Sequence, residues 1–359
     1  MAQLRFGIVG SGWRAQFFAR AARMLPERFA CTGVVTRSAD RGAHVEAEWG
    51  VPTVRTIAEL VAGPDRPDLV VVSVPWPVTP EATRELVAAG VPVLAETPPA
   101  PDVDGLERLW ADVGASGLVQ VAEHSPFMPA HQARRAVVDA GLLGEATSVQ
   151  ISSTHLYHAV GLIRHLLSVG RDEVVVRAQR FTAPLLDPLQ RDGWDDEAQP
   201  RAASTLLATL DLGDGRSAVY DFTDNQWHNP LRTNRIVVRG SHGEIVGDDV
   251  TWWGGERTVL TSRIERRISG LEQNLDGFDL EHLSLGERVL YRNPFVGSRF
   301  ADDELAVAHL LAACSSWLHD GGPQPYPLAD GCHDHRLGLA MEEAAATDAP
   351  VRVPPPPWR

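Results

Sequence analysis

The 359-residue chain has no lysine; all 33 of its basic residues are arginine. That absence removes Schiff-base chemistry and any lysine general acid from consideration. Cysteine is scarce as well. Cys31, Cys314 and Cys332 are odd in number and widely scattered, which excludes a disulfide framework and suits reduced thiols buried as small hydrophobes in a cytoplasmic protein. No apolar run approaches the ~18 residues of a membrane span. The first residues lead directly into an apolar strand, so no signal peptide is expected. Positive charge is in deficit, at a net −14, which argues against nucleic acid and anionic membranes as partners. What is there is an ordinary globular composition, 44% hydrophobic and 22% charged, with length enough for two domains.

Leu4 to Val9 reads as a buried parallel strand, and Gly10-Ser11-Gly12-Trp13-Arg14-Ala15 follows at once. The second segment fits G-x-G-x-x-G/A. Gly10 permits the tight turn, Gly12 leaves room for a pyrophosphate, and Ala15 lets the next helix pack close to the strand. That helix turns its free N–H groups and positive dipole end toward the phosphates. A second strand, Phe29 to Val35, ends at Thr36-Arg37-Ser38. An NAD site carries an acidic side chain there, accepting from ribose hydroxyls. A hydroxyl beside a guanidinium suits a 2′-phosphate instead, so NADP is favoured and NAD is the alternative.

Further buried strands are read at 68–75, 91–95 and 118–122, with helices at about 80–89 and 103–113. Alternating β and α over residues 1–123 gives a doubly wound parallel sheet, a Rossmann domain of the α/β class. Ligands of such sheets lie at the carboxyl ends of the strands. Val74, Pro75, Trp76, Glu96, Thr97, Glu123 and His124 should therefore border the site. Residues 124–350 read differently, as an α+β domain with an open, mainly antiparallel sheet. Helices are expected at about 129–140 and 155–169 and strands at 147–153, 174–179, 205–210, 217–222, 235–239, 244–246 and 288–291. Two helices follow, about 302–319 and 328–347, and residues 351–359 read as a proline-rich tail.

A Rossmann unit, Glu96-Thr97-Pro98 after its fifth strand and a histidine-bearing helix ahead of an open sheet together resemble the Gfo/Idh/MocA family, the relatives of glucose–fructose oxidoreductase and inositol dehydrogenase. The resemblance spans nearly the whole chain. It implies NAD- or NADP-dependent oxidation or reduction of a sugar, cyclitol or related polyol, and a homodimer or homotetramer formed through the open sheet. In the family's Glu-Lys-Pro motif the lysine contacts the reacting hydroxyl; Thr97 stands there in this chain. The family's Asp-x-Gly-x-His-x-x-Asp motif puts its acid/base histidine at His158. Thr154 and Gly161 occupy the two carboxylate positions, and Leu156 occupies the glycine's. The Thr-Pro-Asn motif survives as Pro75, with Trp76 after it. Either proton transfer has moved to other groups, or the usual dehydrogenation has been lost.

The second domain is dense in imidazole. At ~100° per residue, His155, His158 and His165 fall within a stripe of about 80° on one helix. Histidine titrates near ~6.5 and can exchange a proton at neutral pH. His158, with His155 as understudy, is expected to exchange the proton with a substrate oxygen, and Glu96 to position the nicotinamide side of the pocket. Substrate contacts are expected from His124, Tyr157, Arg164, Trp227 and His228. His165 is expected to be structural. No metal is expected, because no acidic or cysteine ligand stands near His155-x-x-His158 in sequence. The chain thus reads as an NADP-dependent oxidoreductase of a sugar-like substrate. Its alternatives are a lyase or glycosidase with resident NAD(P), or a regulatory protein that binds the cofactor without turnover.

Overall fold

The computed structural model describes residues 2–63, 65–190, 193–269 and 278–358. Its first domain runs β1 (Leu4–Val9), α1 (Trp13–Met24), β2 (Phe29–Val35), α2 (Ala39–Trp49), β3 (Thr53–Val54) and α3 (Ile57–Val61). It continues with β4 (Leu69–Val72), α4 (Thr79–Ala88), β5 (Val93–Ala95), α5 (Val103–Val113) and β6 (Val119–Val121). These strands form one parallel sheet in the order β3-β2-β1-β4-β5-β6. The chain changes winding direction between β1 and β4, the point at which such sheets open a crevice. β4 is buried along its whole length, which is why Leu-Val-Val-Val shows no alternation. β3 and α3 are two and five residues long, too short to leave a periodic signal.

The second domain opens with α6 (Pro129–Asp139), β7 (Ala146–Ser152), α7 (Leu156–Leu167) and β8 (Val174–Leu185). A small ribbon follows, β9 (Leu189–Gln190) with β10 (Gly193–Trp194), then β11 (Arg201–Asp211), β12 (Ser217–Thr223) and β13 (Arg235–Gly240). Next come β14 (Gly243–Val246), β15 (Asp249–Gly255), β16 (Thr258–Ser269), β17 (Asp279–Leu285) and β18 (Arg288–Arg292). The chain closes with α8 (Asp302–His319), α9 (Leu328–Thr347) and β19 (Val351–Val353). The large sheet orders them β18-β17-β16-β15-β14-β13-β7-β12-β11-β8-β19. It is mainly antiparallel, with β7 and β12 parallel. Strands β15, β16 and β17 have no counterpart in the sequence reading. Most of β16 is exposed on both faces, so it carries no two-residue alternation to detect.

The C-terminus is not a free tail. Val351–Val353 extends the large sheet beside β8, and the Trp358 side chain is fully buried, its ring 6.3 Å from Trp110 of α5. Apolar burial of an indole outweighs the chain entropy of a proline-rich segment that is already stiff. α9 is also tied to the first sheet, because the Val121 N–H donates to the Tyr326 carbonyl just ahead of it, at 2.8 Å. The three cysteines are free thiols. Cys314 and Cys332 are buried, while half-buried Cys31 has its thiol pushed up to about 12 by desolvation. No described helix is long and apolar enough to cross a membrane.

Candidate active site

At the phosphate end, Gly10 has φ +109°, and a Cβ there would lie 2.1 Å from the Ser73 carbonyl oxygen. Only glycine fits between β1 and the end of β4. At Gly12 a Cβ would meet nothing within 4 Å. Open space at a helix start with no side-chain cap is what a diphosphate needs there. Ser11 is held by Arg41 of α2, whose Nε donates to its hydroxyl at 2.9 Å and whose Nη2 donates to its carbonyl. Thr36 is buried, and its hydroxyl accepts from Arg55 Nη1 at 2.6 Å. Ser38 caps α2 by accepting from the Arg41 N–H. Arg37 is exposed beside them. Of the two side chains read as a 2′-phosphate pair, Arg37 is open and Thr36 is occupied. Arg41 and Arg55, which strand-end reasoning did not reach, supply two further guanidinium groups.

At the other end of the crevice, Val74, Pro75 and Trp76 follow β4, and the Trp76 ring stands edge-on to Tyr157 of α7 at 6.5 Å. Glu96, after β5, accepts from Arg14 Nε at 3.3 Å and from the Thr97 N–H at 3.3 Å. Burial raises its carboxyl above the usual range, against the opposing pull of Arg14. Arg14 therefore faces Glu96 across the crevice mouth, and its Nη2 is buried with no hydrogen-bond partner among the described residues. The Tyr157 hydroxyl lies 3.4 Å from His155 Nε2, and the Trp76 contact joins α7 to the strand ends of the first domain.

The imidazoles assemble between the domains. His158 Nδ1 lies 2.5 Å from Glu123 Oε2, and Glu123 Oε1 accepts from the Ser125 N–H at 2.9 Å. Burial alone would raise the Glu123 carboxyl, but the charge and hydrogen bond of His158 hold it down at about 2. It is an anion at neutral pH, so Nδ1 of His158 donates to it. His124 Nε2 lies 3.1 Å from Asp303 at the start of α8, and desolvation, with Arg14 nearby, lowers His124 to about 4. The His124 and His158 rings meet edge-on at 5.6 Å, and His155 meets His158 at 5.0 Å. Desolvation lowers His155 to about 4 as well.

Several sequence expectations need correction. α7 begins at Leu156, so His155 is its N-cap and not a member of a helical stripe. His165 lies at the far end of α7, in a separate cleft with Phe127, Gln132 and Arg135. Arg164 is six residues beyond His158, about 240° around the helix. It pairs with Asp330 and Asp334 at 2.6 Å each, in that second cleft and not beside His158. Trp227 and His228 sit in a loop tied to the end of β7 by Gln226, whose Nε2 donates to the Ser152 carbonyl at 2.7 Å. His228 Nε2 lies 3.7 Å from Asp187, after β8, and Trp227 is exposed.

Two carboxylates carry more than the sequence reading gave them. The sequence places Glu123 only at the border of the site and carries no signal for Asp303. The cue for Glu123 was its place, directly after β6. At Gly161 a Cβ would lie 2.9 Å from Tyr326 Oη and 3.4 Å from Glu123 Cγ. A carboxylate on α7 would collide there, and the acid partner of His158 comes from the opposite wall. Glu123, His124 and His158 also bring donor atoms within 4.8 Å of one another, a spacing suited to a divalent metal. The acidic ligand missing near His155-x-x-His158 in sequence is thus supplied in space by the first domain.

Residues 4–124, which hold the glycine turn, Glu96 and Glu123, match a family model described as an oxidoreductase family with an NAD-binding Rossmann fold. The first domain has a Rossmann fold of the NAD-binding type. Among curated relatives, the dTDP-3,4-didehydro-2,6-dideoxy-alpha-D-glucose 3-reductase of Actinomadura kijaniata is 30% identical over 174 residues, 46% of this chain and 50% of that protein. The chain therefore spans about half the length of that relative. The 1,5-anhydro-D-fructose reductase of Ensifer adhaerens is 28% identical over 338 residues, 89% of this chain and 90% of that one. A solved levoglucosan dehydrogenase, in complex with NADH and levoglucosan, superposes with a TM-score of 0.70 at 16% identity, over 98% of this chain and 100% of that one. This Rossmann domain followed by a mainly antiparallel sheet is thus a fold already seen at full length.

Proposed function

We propose that the protein is a Gfo/Idh/MocA-type oxidoreductase that uses NADP, with NAD as the lesser alternative, on a carbinol or carbonyl carbon of a sugar-derived substrate. The observation that carries this reading is the His158–Glu123 contact at 2.5 Å, beside the strand ends of a dinucleotide-binding domain. A nicotinamide bound there supplies or accepts a hydride at its C4. With Nδ1 of His158 directed at Glu123, Nε2 is the atom left to exchange a proton with the substrate oxygen. In oxidation Nε2 takes the hydroxyl proton, and the Glu123 carboxylate stabilises the resulting imidazolium. In reduction the same nitrogen returns it. General acid–base help of this kind is worth roughly 10²–10⁴ in rate.

The other residues have supporting parts. Gly10, Ser11, Gly12 and Trp13 receive the diphosphate, and Arg37, Arg41 and Arg55 take a 2′-phosphate. Val74, Pro75, Trp76 and Thr97 line the nicotinamide side, which Glu96 positions with Arg14 pinning it. His155 and Tyr157 flank His158, with His124 on its other side, and Trp227 and His228 pack the outer part of the substrate. Relatives named for sugar reduction, and a structural neighbour named for levoglucosan, support a sugar-like substrate. The exposed Phe181, Leu207 and Val219 on neighbouring strands support assembly of a homodimer or homotetramer through the open sheet.

A second reading keeps the cofactor resident through oxidation, elimination at the neighbouring carbon and return of the hydride. The His124–Asp303 pair favours it, as a second imidazole–carboxylate unit 5.6 Å from the first ring. Purified protein incubated with NADPH and 1,5-anhydro-D-fructose or related ketoses separates the two. Stoichiometric NADPH consumption is expected; product formed with catalytic cofactor would favour the second reading, and cofactor binding without turnover would contradict both.

A further inference from the structure

The helix that carries His158 starts from a strained residue. Leu156 has φ +37°, a left-handed backbone that a leucine adopts only when its surroundings hold it there. The cap ahead of it, His155, gives no side-chain bond to the helix. A more distant group does the holding. The Leu156 N–H donates to the Tyr220 hydroxyl at 3.0 Å, and Tyr220 is 1% exposed in the middle of β12. Phe222, two residues on, stacks with Tyr220 at 6.2 Å and reaches the His155 ring at 6.3 Å. β12 also fixes the end of β7, since Ser152 Oγ donates to Asp221 at 3.0 Å. The turn between β7 and α7 is therefore gripped by β12 at both ends. On the far side, a Cβ added at Gly338 in α9 would come within 3.3 Å of the Leu156 Cβ, so α9 passes close to this turn where residue 338 is glycine.

We propose that Tyr220 is a positioning residue for the proton-transfer site: its hydroxyl holds Leu156 in the left-handed turn that aims His158 at Glu123. The coupling is short. The His158 N–H donates to the His155 carbonyl at 3.2 Å, so a rotation at Leu156 swings the first turn of α7 and both imidazoles with it. A hydrogen bond of 2.5 Å between His158 and Glu123 tolerates little of that movement. The position is one that glycine would occupy without strain and without a holder. Leucine at 156 makes the tyrosine hydroxyl necessary.

The inference rests on the His158 reading for its kinetic arm but not for its spectroscopic one. Tyr220→Phe keeps the ring and its packing and removes only the hydroxyl. In the full-length protein, the Nδ1 proton of His158 should give a low-field resonance in proton NMR that disappears in Glu123→Gln, which assigns it. Tyr220→Phe should broaden or shift that resonance upfield. It should also lower kcat for NADPH-dependent reduction at least tenfold, with KM and NADPH affinity unchanged. Adding Leu156→Gly to Tyr220→Phe should restore both signals, because glycine takes the left-handed turn unaided. A Tyr220→Phe protein with reduced Tm but an unaltered resonance overturns the proposal. So does a double variant whose resonance stays as perturbed as that of Tyr220→Phe alone. If no reductase activity is found at all, the function is wrong, and the resonance still decides the positioning.

Discussion

His158 Nδ1 and Glu123 Oε2 meet at 2.5 Å across the junction of the two domains, one from the second residue pair of α7 and the other from just past β6. The pair needs Gly161 three residues on, where a Cβ would press within 2.9 Å of Tyr326 Oη. Gly161→Asp should therefore destabilise the protein by about 1–3 kcal/mol from overpacking, with a further cost for a second carboxylate next to buried Glu123. Chemical denaturation checks it. A variant as stable as the parent would mean the glycine is not there to make room.

The arginines around β2 and α2 predict cofactor choice. Arg55→Ala and Arg41→Ala should each weaken NADPH binding about 10–100-fold, the value of a charge-assisted hydrogen bond, while leaving NADH binding nearly untouched. Titrating each variant with both nucleotides reads the ratio. Equal losses for both would reassign these side chains to the support of Ser11 and Thr36 alone.

Buried imidazoles set a direction for acid stability. Desolvation first of all lowers His124, His155, His165 and His309 to about 4, and His131 and His333 to about 3. The unfolded chain, with ordinary histidines at 6.5, then binds more protons than the fold between those values. Stability from these groups is complete above pH ~6.5 and falls as pH drops toward 4, each contributing on the order of 1–3 kcal/mol. Urea unfolding midpoints should fall steeply from pH 7 to 4. A flat profile over that window would show that these imidazoles are hydrated.

The last residues predict a stability effect far from the crevice. Trp358→Ala should cost about 3–5 kcal/mol, the usual loss for a buried indole, because the ring is fully enclosed beside Trp110 and Arg336. A change below 1 kcal/mol in equilibrium unfolding would return residues 351–359 to the free tail that their prolines suggest.

The first domain was readable because its signals are local. Gly10, Gly12 and the apolar run of β4 act within their own segments, and their elements lie where the pattern puts them. The site was legible only in part. Glu96 follows β5 and His158 sits in the first turn of α7, yet His158 takes its acid partner from residue 123, thirty-five positions away. Asp303 reaches His124 from 179 positions away. Pairings of that range leave no periodic trace in a single sequence. Arg164 misled because a helix facing two clefts gives its polar residues two destinations, and the acids of α9 that claim it are distant in sequence. Strands β15 and β16 escaped because too little of them is buried to impose alternation; β17 is largely buried, but its pairing with β18 shifts register at Leu283/Ser284.

The most direct measurement is steady-state turnover of His158→Ala alongside its NADPH dissociation constant. Loss of the proton carrier should lower kcat by roughly 10²–10⁴ and leave the dissociation constant where it is in the parent protein. Parental turnover in the variant, or a weakening of NADPH binding as large as the loss of rate, would contradict the assignment of proton transfer to this imidazole.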